Sequence, residues 1–304
     1  MSYGERIMKL SVWTNIYGKS NLTPEGTLVE LTKHGYEYCE LSDEDALVLL
    51  DRATPDKAGT QYGKFAREVG MNVAQGHLFL TSQICNVSDR DVLKRQLDLF
   101  GAIGIKNAVL HCDSLLDEYK NVDFNLSLKH KKLIFYPGCE QENYSMEYKR
   151  EQNEIALRDL CDYIKGTDMT ICLENLFFFD VTPGIDDILY FINKIDSKNL
   201  GICLDTSHLN ISPNPNFDEF IQKAGKHLKA LHVSDNDGLE RDQHLIPYGV
   251  GRIDFVNIVK NLKAIGYDEL YNLEIPGESR APFEIIGYKL EYAKKIFDYI
   301  DSIT

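Results

Sequence analysis

The sequence predicts an α/β protein of the (β/α)8 TIM barrel class, built as a single domain. Eight short, apolar, β-rich runs recur along the chain, amphipathic helix-like segments separate them, and several of these segments close on a glycine. Nearly continuous apolar strands that alternate with helices are typical of a parallel sheet covered by helices. Eight such units in 304 residues match the size of this barrel. A doubly wound open sheet is the alternative, but no Gly-x-Gly-x-x-Gly motif follows the first run.

The predicted strands are, in chain order, MKLSVWT (8–14), YEYCEL (36–41), NVAQGHLF (72–79), NAVLHC (107–112), MTICLEN (169–175), LGICLD (200–205), LKALHV (228–233) and LYNLEI (270–275). Each is followed by a helix-like segment, for example DRDVLKRQLDLFGAIG after the third strand and DFVNIVKNLKAIG after the seventh. A glycine at the end of such a segment suits a helix C-terminus. Asp254 is well placed to cap the helix that begins after YGVGRI.

One connection is too long for a plain loop. Residues 113–150 separate the fourth strand from the fifth, and we predict that they form a lid insertion over the active-site rim. The insertion contains a Lys-rich KHKK run. Such a run is typical of a solvated face, although it would also attract an anionic substrate group.

Composition narrows the function classes. The formal charge of -14 and the pI of about 5.0 disfavour nucleic acid as a partner, because most of the surface would repel a polyanion. The seven cysteines are an odd number without a Cys-x-x-Cys pair, which favours reduced thiols. No apolar run suits a signal peptide or a membrane span, so we expect a cytoplasmic protein. The sequence is also compatible with a homo-oligomer.

Polar residues stand at the end of seven predicted strands. They are Glu40, His77, His111, Glu174, Asp205, His232 and Glu274. In a parallel barrel all of these positions fall at one rim, where the active sites of this fold lie.

Histidines and carboxylates together indicate a metal site at that rim. Five of the eight histidines lie at or just beyond strand ends, namely His77, His111, His208, His232 and His244. A lone strand-end histidine is more often a satisfied core residue. Here Glu174, Asp205, Asp242 and Glu274 share the rim, and four carboxylates in one cavity need a cation to offset their repulsion. Imidazole and carboxylate ligands fit Zn²⁺, Mn²⁺ or Co²⁺, and fit Mg²⁺ or Ca²⁺ less well.

Five motifs carry a family resemblance over nearly the whole chain. They are CLEN (172–175), CLDTSH (203–208), LHVSDNDG (231–238), DQHLIPYGVGRIDF (242–255) and LEIPG (273–277). In their order and spacing the chain resembles the xylose isomerase-like TIM barrels, a superfamily of sugar and sugar-phosphate isomerases and epimerases that also contains endonuclease IV-type abasic-site endonucleases. The resemblance implies that Glu174, Asp205, His232 and Glu274 hold the central metal and that His208 contacts substrate.

The resemblance leaves the choice of chemistry open. Both branches can use His77, His111, Asp242 and His244 as further metal or substrate ligands. The chain departs from the endonuclease pattern in having HCDS after the fourth strand, where an HPGS-like motif is expected, and in lacking evident basic, aromatic-rich loops for gripping DNA.

The chemistry of sugar isomerisation or epimerisation assigns roles to two glutamates. A metal chelated by a carbonyl and its neighbouring hydroxyl acidifies the adjacent C–H and stabilises the enediolate. Two carboxylates on opposite sides of the substrate can exchange the proton, and Glu174 and Glu274 end strands almost across the barrel from each other. Alternatively both are only ligands, and the site supports hydrolysis as in endonuclease IV or dehydration of a polyol.

Other residues have two open interpretations each. Trp13 could stack on a sugar ring or pack under the lid. Glu40 could orient substrate or act as a structural hydrogen-bond acceptor. Arg241 could bind a substrate hydroxyl or phosphate, or form an exposed salt bridge. The resulting hypothesis is a divalent-metal-dependent sugar or sugar-phosphate isomerase or epimerase that acts on a small carbohydrate and not on nucleic acid or membranes.

Overall fold

Eight parallel strands close into a barrel in chain order, which confirms the predicted fold. The computed structural model describes residues 8–80, 83–115, 144–176, 181–239, 242–277 and 282–304. The strands are β1 Lys9–Trp13, β2 Tyr38–Leu41, β3 Asn72–His77, β4 Asn107–Leu110, β5 Thr170–Glu174, β6 Leu200–Asp205, β7 Leu228–Val233 and β8 Leu270–Leu273. Each of the eight predicted runs contains one of these strands. The pairing of β1 with β8 closes the sheet.

Ten α-helices connect or cover the strands within the described ranges. They are α1 Pro24–Lys33, α2 Asp43–Arg52, α3 Pro55–Glu68, α4 Val87–Ile103, α5 Met146–Tyr163, α6 Ile185–Ile195, α7 Thr206–Asn210, α8 Phe217–Ala224, α9 Phe255–Ala264 and α10 Glu284–Ile303. Side-chain caps fix several of their starts, and the predicted cap of α9 is confirmed because Asp254 accepts a hydrogen bond from the Asn257 amide at 3.0 Å. No helix among the described residues is both long and apolar enough to cross a membrane.

The predicted lid lies mostly outside the described residues. Residues 116–143, with the KHKK run, belong to that undescribed part, so the lid stays a prediction. Residues 146–150, at the end of the predicted insertion, instead form the first turn of α5. The helix begins where the Ser145 hydroxyl accepts a hydrogen bond from the Tyr148 amide at 3.1 Å.

The barrel interior below the rim has two chemically different halves. Strands β4 to β7 contribute the small apolar cluster Val109, Cys172, Cys203 and Ala230. Strands β8, β1, β2 and β3 contribute the fully buried polar residues Asn272, Ser11, Glu40 and Gln75. Ser11 donates a hydrogen bond to Asn272 Oδ1 at 2.9 Å. Polar groups buried at this depth need such partners, since each unpaired group costs free energy.

Close packing of α3 against α4 depends on glycine. A Cβ at Gly63 would lie 2.7 Å from the Ile103 carbonyl oxygen, and one at Gly59 would lie 2.6 Å from the Leu99 carbonyl oxygen. Both distances are shorter than any stable carbon–oxygen contact. The two helices therefore pack backbone against backbone at these positions.

We expect Gly63→Ala to lower the free energy of unfolding by about 1–3 kcal/mol, because the helices must move apart to admit the methyl group. Gly101→Ala on α4 is the matched control. Its Cβ would meet only Met169 Cε, at 3.8 Å, so alanine there should stabilise the helix by up to about 1 kcal/mol. Urea denaturation of both variants measures the difference, and equal effects would contradict the packing argument.

Candidate metal centre

Glu174, at the end of β5, lies at the centre of the rim. Its Oε2 is 3.1 Å from His111 Nε2, 3.2 Å from His232 Nδ1 and 3.4 Å from His77 Nε2. Its Oε1 is 3.2 Å from His208 Nδ1. Four imidazoles from four strand ends thus surround one buried carboxylate.

His232 joins Glu174 to two further carboxylates. Its Nδ1 lies 3.0 Å from Glu274 Oε2 and 4.0 Å from Asp205 Oδ2. One ligand atom from each of Glu174, Asp205, His232 and Glu274 lies within 4.8 Å of the others, and all four residues are buried. The four residues predicted to hold the central metal are therefore brought together.

The remaining predicted ligands lie on either side of this central group. His77 and His111 form a group with Glu174, and His208 and His244 form one with Asp205. Asp242 Oδ2 is 3.3 Å from His208 Nε2 and 2.6 Å from His244 Nε2. Three neighbouring groups thus share two carboxylates, Glu174 and Asp205.

The geometry of the central group fits a cation. Despite the short separations, His232 Nδ1, Glu274 Oε2 and Asp205 Oδ2 are buried atoms without a hydrogen-bond partner. The His232–Glu274 contact of 3.0 Å has the distance but not the alignment of a hydrogen bond, and the His232–Asp205 separation of 4.0 Å is too long for one. This arrangement is expected when ligand atoms face a common point. Buried polar atoms otherwise need partners. The donor set of imidazole nitrogen and carboxylate oxygen suits a divalent metal of the zinc or manganese type.

Cys203 lies beside this group and was not predicted from the sequence. Its Sγ is within 4.8 Å of ligand atoms of Glu174 and His232. Burial raises the pKa of the Cys203 thiol well above its usual value, so the thiol is neutral in the metal-free protein. The strand-end pattern missed it because Cys203 precedes Asp205 by two residues on the same face of β6.

The segment after β6 explains the spacing of Asp205 and His208. Asp205 is the N-cap of α7, and its Oδ1 accepts a hydrogen bond from the His208 amide at 2.7 Å. The short helix turns the His208 side chain back toward the rim, where its Nδ1 is 3.0 Å from the Asn175 carbonyl oxygen. Asn175 also pairs with the Asp205 backbone through two hydrogen bonds of 2.8 and 3.0 Å. The ends of β5 and β6 are thereby fixed together.

The loop after β7 is organised by Asp235. Its buried carboxylate accepts hydrogen bonds from the backbone amides of Asn236, Tyr248 and Ile253 at 2.9, 3.3 and 3.1 Å. Its own amide and carbonyl pair with Leu245. The loop that carries Asp242 and His244 is therefore held by a carboxylate at its base, a role that the LHVSDNDG motif did not reveal.

Backbone conformation in this loop is unusual at the candidate ligand itself. His244 has φ of 45°. Residues other than glycine rarely adopt positive φ, and such strain persists only where surrounding contacts enforce it. Here His244 Nδ1 lies 2.9 Å from the Glu274 carbonyl oxygen, and its Nε2 contacts Asp242.

Opposing charges control protonation in the site. Burial disfavours charged carboxylates, yet His232 and His244 hold the pKa of Glu274 at about 2. The pKa of Glu174 is likewise held well below its usual value by His232 and His111, against the effect of burial. Asp205 differs, because burial raises its pKa to about 7 although His208 acts in the opposite direction. The two glutamates are thus ionised at neutral pH.

The softer sequence candidates have different outcomes. Trp13 Nε1 donates a hydrogen bond to the Ile275 carbonyl oxygen at 3.1 Å, beside the end of β8, and its contact with substrate stays a prediction. Glu40 is fully buried and its Oε2 lies 3.1 Å from His232 Nε2, and its two interpretations stay predictions. Arg241 lies outside the described residues.

Metal binding should release protons. Burial opposes protonation of His77 and His244, but Glu174 raises the pKa of His77 to about 9, and Asp242 with Glu274 raises the pKa of His244 to about 10. Both imidazoles are therefore protonated at pH 7 in the metal-free protein and must lose that proton to bind a cation. We expect affinity for Zn²⁺ at these groups to rise from pH 6 to pH 9. Calorimetry in buffers of different ionisation enthalpy measures the released protons, and a binding constant independent of pH would contradict this assignment.

Comparisons with known proteins agree with the fold. A model of the xylose isomerase-like TIM barrel family matches residues 28–296. A probable endonuclease 4 of Mycoplasmopsis pulmonis is 27% identical over 214 residues, which cover 64% of this chain and 74% of that protein. A D-psicose 3-epimerase of Enterocloster bolteae is 23% identical over 236 residues, which cover 77% of this chain and 70% of that protein. The chain spans about half the length of several other curated relatives that it matches.

Solved structures show the same architecture at low identity. A crystal structure of a D-psicose 3-epimerase in the presence of D-fructose has a TM-score of 0.74 and 14% identity, with 96% of this chain and 99% of that chain covered. Identity at this level is evidence for the fold alone. With the family model matching most of the described barrel, the chain belongs to the xylose isomerase-like TIM barrel family.

Proposed function

We propose that the protein is a divalent-metal-dependent isomerase or epimerase of a sugar or sugar phosphate. The observation that carries the proposal is the convergence of Glu174, at the end of β5, and Glu274, just after β8, on Nδ1 of His232. The two carboxylates approach this nitrogen from different strand ends. A substrate carbon held between them would have one carboxylate on either side.

Glu174, Asp205, His232 and Glu274 would hold the metal. When bound, the cation would polarise the substrate carbonyl and offset the negative charge that develops as a neighbouring C–H is deprotonated. Zn²⁺ or Mn²⁺ suits these ligands best, with Co²⁺ or Mg²⁺ as alternatives.

Proton transfer would be carried out by the two glutamates. The low pKa values of Glu174 and Glu274 keep both ionised at neutral pH, so either can accept a proton from carbon. Return of the proton by the same carboxylate to the adjacent carbon gives isomerisation. Epimerisation requires the second carboxylate to take up a proton from solvent and to deliver it to the opposite face, while the first carboxylate releases its proton to solvent. His208, whose Nδ1 lies beside the Asn175 carbonyl and whose Nε2 lies 3.3 Å from Asp242 Oδ2, would contact a substrate hydroxyl.

The net charge of the protein favours a small carbohydrate over DNA. A formal charge of -14 repels phosphodiesters over most of the surface. The carboxylates of the site can accept hydrogen bonds from sugar hydroxyls.

A second candidate function is metal-dependent phosphodiester hydrolysis. The observation that favours it is the presence of three neighbouring ligand groups that share Glu174 and Asp205, because hydrolases of phosphodiesters commonly use two or more metal ions linked by carboxylates. The similarity to a probable endonuclease 4 supports the same interpretation.

Turnover in D₂O tests the first proposal. If Glu174 and Glu274 exchange a proton with the carbon beside the carbonyl, deuterium should appear on that carbon in the product and, over time, in recovered substrate. A panel of ketoses and their phosphates with NMR detection provides the measurement. Isomerisation without solvent deuterium would exclude the enediolate mechanism.

Glu274→Gln should lower kcat by about 10²- to 10⁴-fold, the usual contribution of a placed acid or base. The glutamine oxygen can still reach the metal, so metal content should fall far less than activity. Glu269→Gln, the same substitution just before the opposite end of β8, is the control and should leave kcat unchanged. Activity retained in Glu274→Gln would remove Glu274 from the proton path.

An abasic-site duplex separates the two candidate functions. We expect neither binding nor nicking at physiological salt, because the net charge of -14 opposes the phosphate backbone. Metal-dependent cleavage at the abasic site that is lost in Glu174→Gln would instead establish the hydrolase. Gel shift and nicking assays with Zn²⁺ and with Mn²⁺ provide both measurements.

A further inference from the structure

Glu40 is a buried carboxylate that the proposed chemistry does not use. It is fully inaccessible to solvent within the barrel interior. Among the described residues its ion-pair partner is His232, and no lysine or arginine there contacts it. An ionised carboxylate at such depth is costly unless it is paired and hydrogen-bonded. A buried carboxyl group at Glu40 therefore indicates a specific role for this residue.

One oxygen of Glu40 contacts both Gln75 and one ring nitrogen of His232. Glu40 Oε2 accepts a hydrogen bond from Gln75 Nε2 and lies 3.1 Å from His232 Nε2. The other nitrogen, Nδ1, faces Glu174 and Glu274 at 3.2 and 3.0 Å. The ring thus has a carboxylate on the interior side and the candidate metal group on the other.

A bulge in the sheet brings Glu40 to this position. Cys39 pairs with Val73, but Glu40 pairs with Gln75, so the register between β2 and β3 shifts by one residue at this point. Such bulges re-aim a side chain. Without the shift, Glu40 would lie opposite Ala74 and would not be aligned with Gln75.

We propose that Glu40 is a positioning residue of the metal centre, which with Gln75 fixes His232 with hydrogen on Nε2 and the Nδ1 lone pair directed at the cation. A neutral imidazole carries one N–H, and a carboxylate can only accept it. The other nitrogen is then left as the ligand. This inference rests on the proposed metal-dependent function.

The Ser11–Asn272 pair, in the same polar half of the barrel interior, shows that this half does not itself require a charged residue. Ser11 donates a neutral hydrogen bond of 2.9 Å to Asn272 Oδ1. Among the four buried polar residues Asn272, Ser11, Glu40 and Gln75, the carboxyl group belongs to Glu40, beside His232. A carboxylate behind a metal-bound histidine makes the imidazole a stronger electron donor.

The test is metal binding by Glu40→Gln, a substitution of nearly equal shape. Competition with a chromophoric chelator measures the affinity for Zn²⁺ and Co²⁺, and the visible absorption of the Co²⁺ protein reports ligand geometry. We expect affinity to fall about 10- to 100-fold with a changed Co²⁺ spectrum. Ser11→Ala is the matched control, since it removes a hydrogen bond from the same polar half of the interior without touching His232. Its affinity and spectrum should equal those of the wild type.

Three outcomes overturn the inference. Wild-type affinity and spectrum in Glu40→Gln would do so, and so would an equal loss in Ser11→Ala, which would indicate a general effect of the interior. Both leave the proposed function standing. Absence of metal binding by the wild-type protein would overturn the proposed function and this inference together.

A measurement on the wild-type protein keeps the inference testable even if Glu40→Gln does not fold. Histidine-selective ¹⁵N labelling distinguishes the two ring nitrogens of His232 in the zinc-loaded protein. Hydrogen on Nε2 with metal on Nδ1 is the expected result. Hydrogen on Nδ1 would contradict the proposal.

Discussion

Repulsion among buried carboxylates is the constraint on which the rest of the site depends. Glu174, Asp205 and Glu274 lie around His232 in a space where each is almost completely shielded from water. Like charges this close raise one another's pKa or require a positive partner. The imidazoles provide that partner in part, which explains why Glu174 and Glu274 stay ionised while the pKa of Asp205 rises to about 7. A divalent cation would satisfy all three carboxylates at once.

Barrel closure forces these groups together, and irregularities in the sheet set their alignment. The register between β6 and β7 shifts at Ile202 and Cys203, after which Asp205 pairs with His232. A similar shift between β2 and β3 places Glu40 beside Gln75. Two bulges thus determine which residues face His232 from either side. Strands β4 to β7 line one half of the interior with small apolar side chains. Strands β8, β1, β2 and β3 line the other half with polar side chains.

The strand-end residues of the site were predictable because a parallel barrel brings the carboxyl ends of all strands to one rim. Apolar runs located the strands, so His77, Glu174, Asp205 and Glu274 followed directly. For Glu40 the strand-end pattern did not decide between substrate contact and a structural hydrogen bond. Its partner Gln75 is distant in sequence, and a one-residue bulge leaves no composition signal. Asp235 and Asn175 were missed for a related reason, since each acts through backbone hydrogen bonds that depend on the folded loop. Most of the predicted lid of residues 113–150 lies in residues 116–143, which the structure does not describe.

The ligand set alone does not determine the reaction, because sugar and phosphodiester chemistry both use divalent metals held by carboxylate and imidazole. What distinguishes them is the surface that receives the substrate. A phosphodiester approaches as a polyanion and needs cations at the rim, whereas a sugar needs hydrogen-bond acceptors and two groups that can move a proton. The net charge of -14 opposes the approach of a phosphodiester. In the proposed reaction, Glu174 at the end of β5 and Glu274 just after β8 would supply the proton-transfer groups for a sugar. The charge of the protein and these two groups would therefore direct the candidate metal centre to carbohydrate, without any change in the ligands themselves.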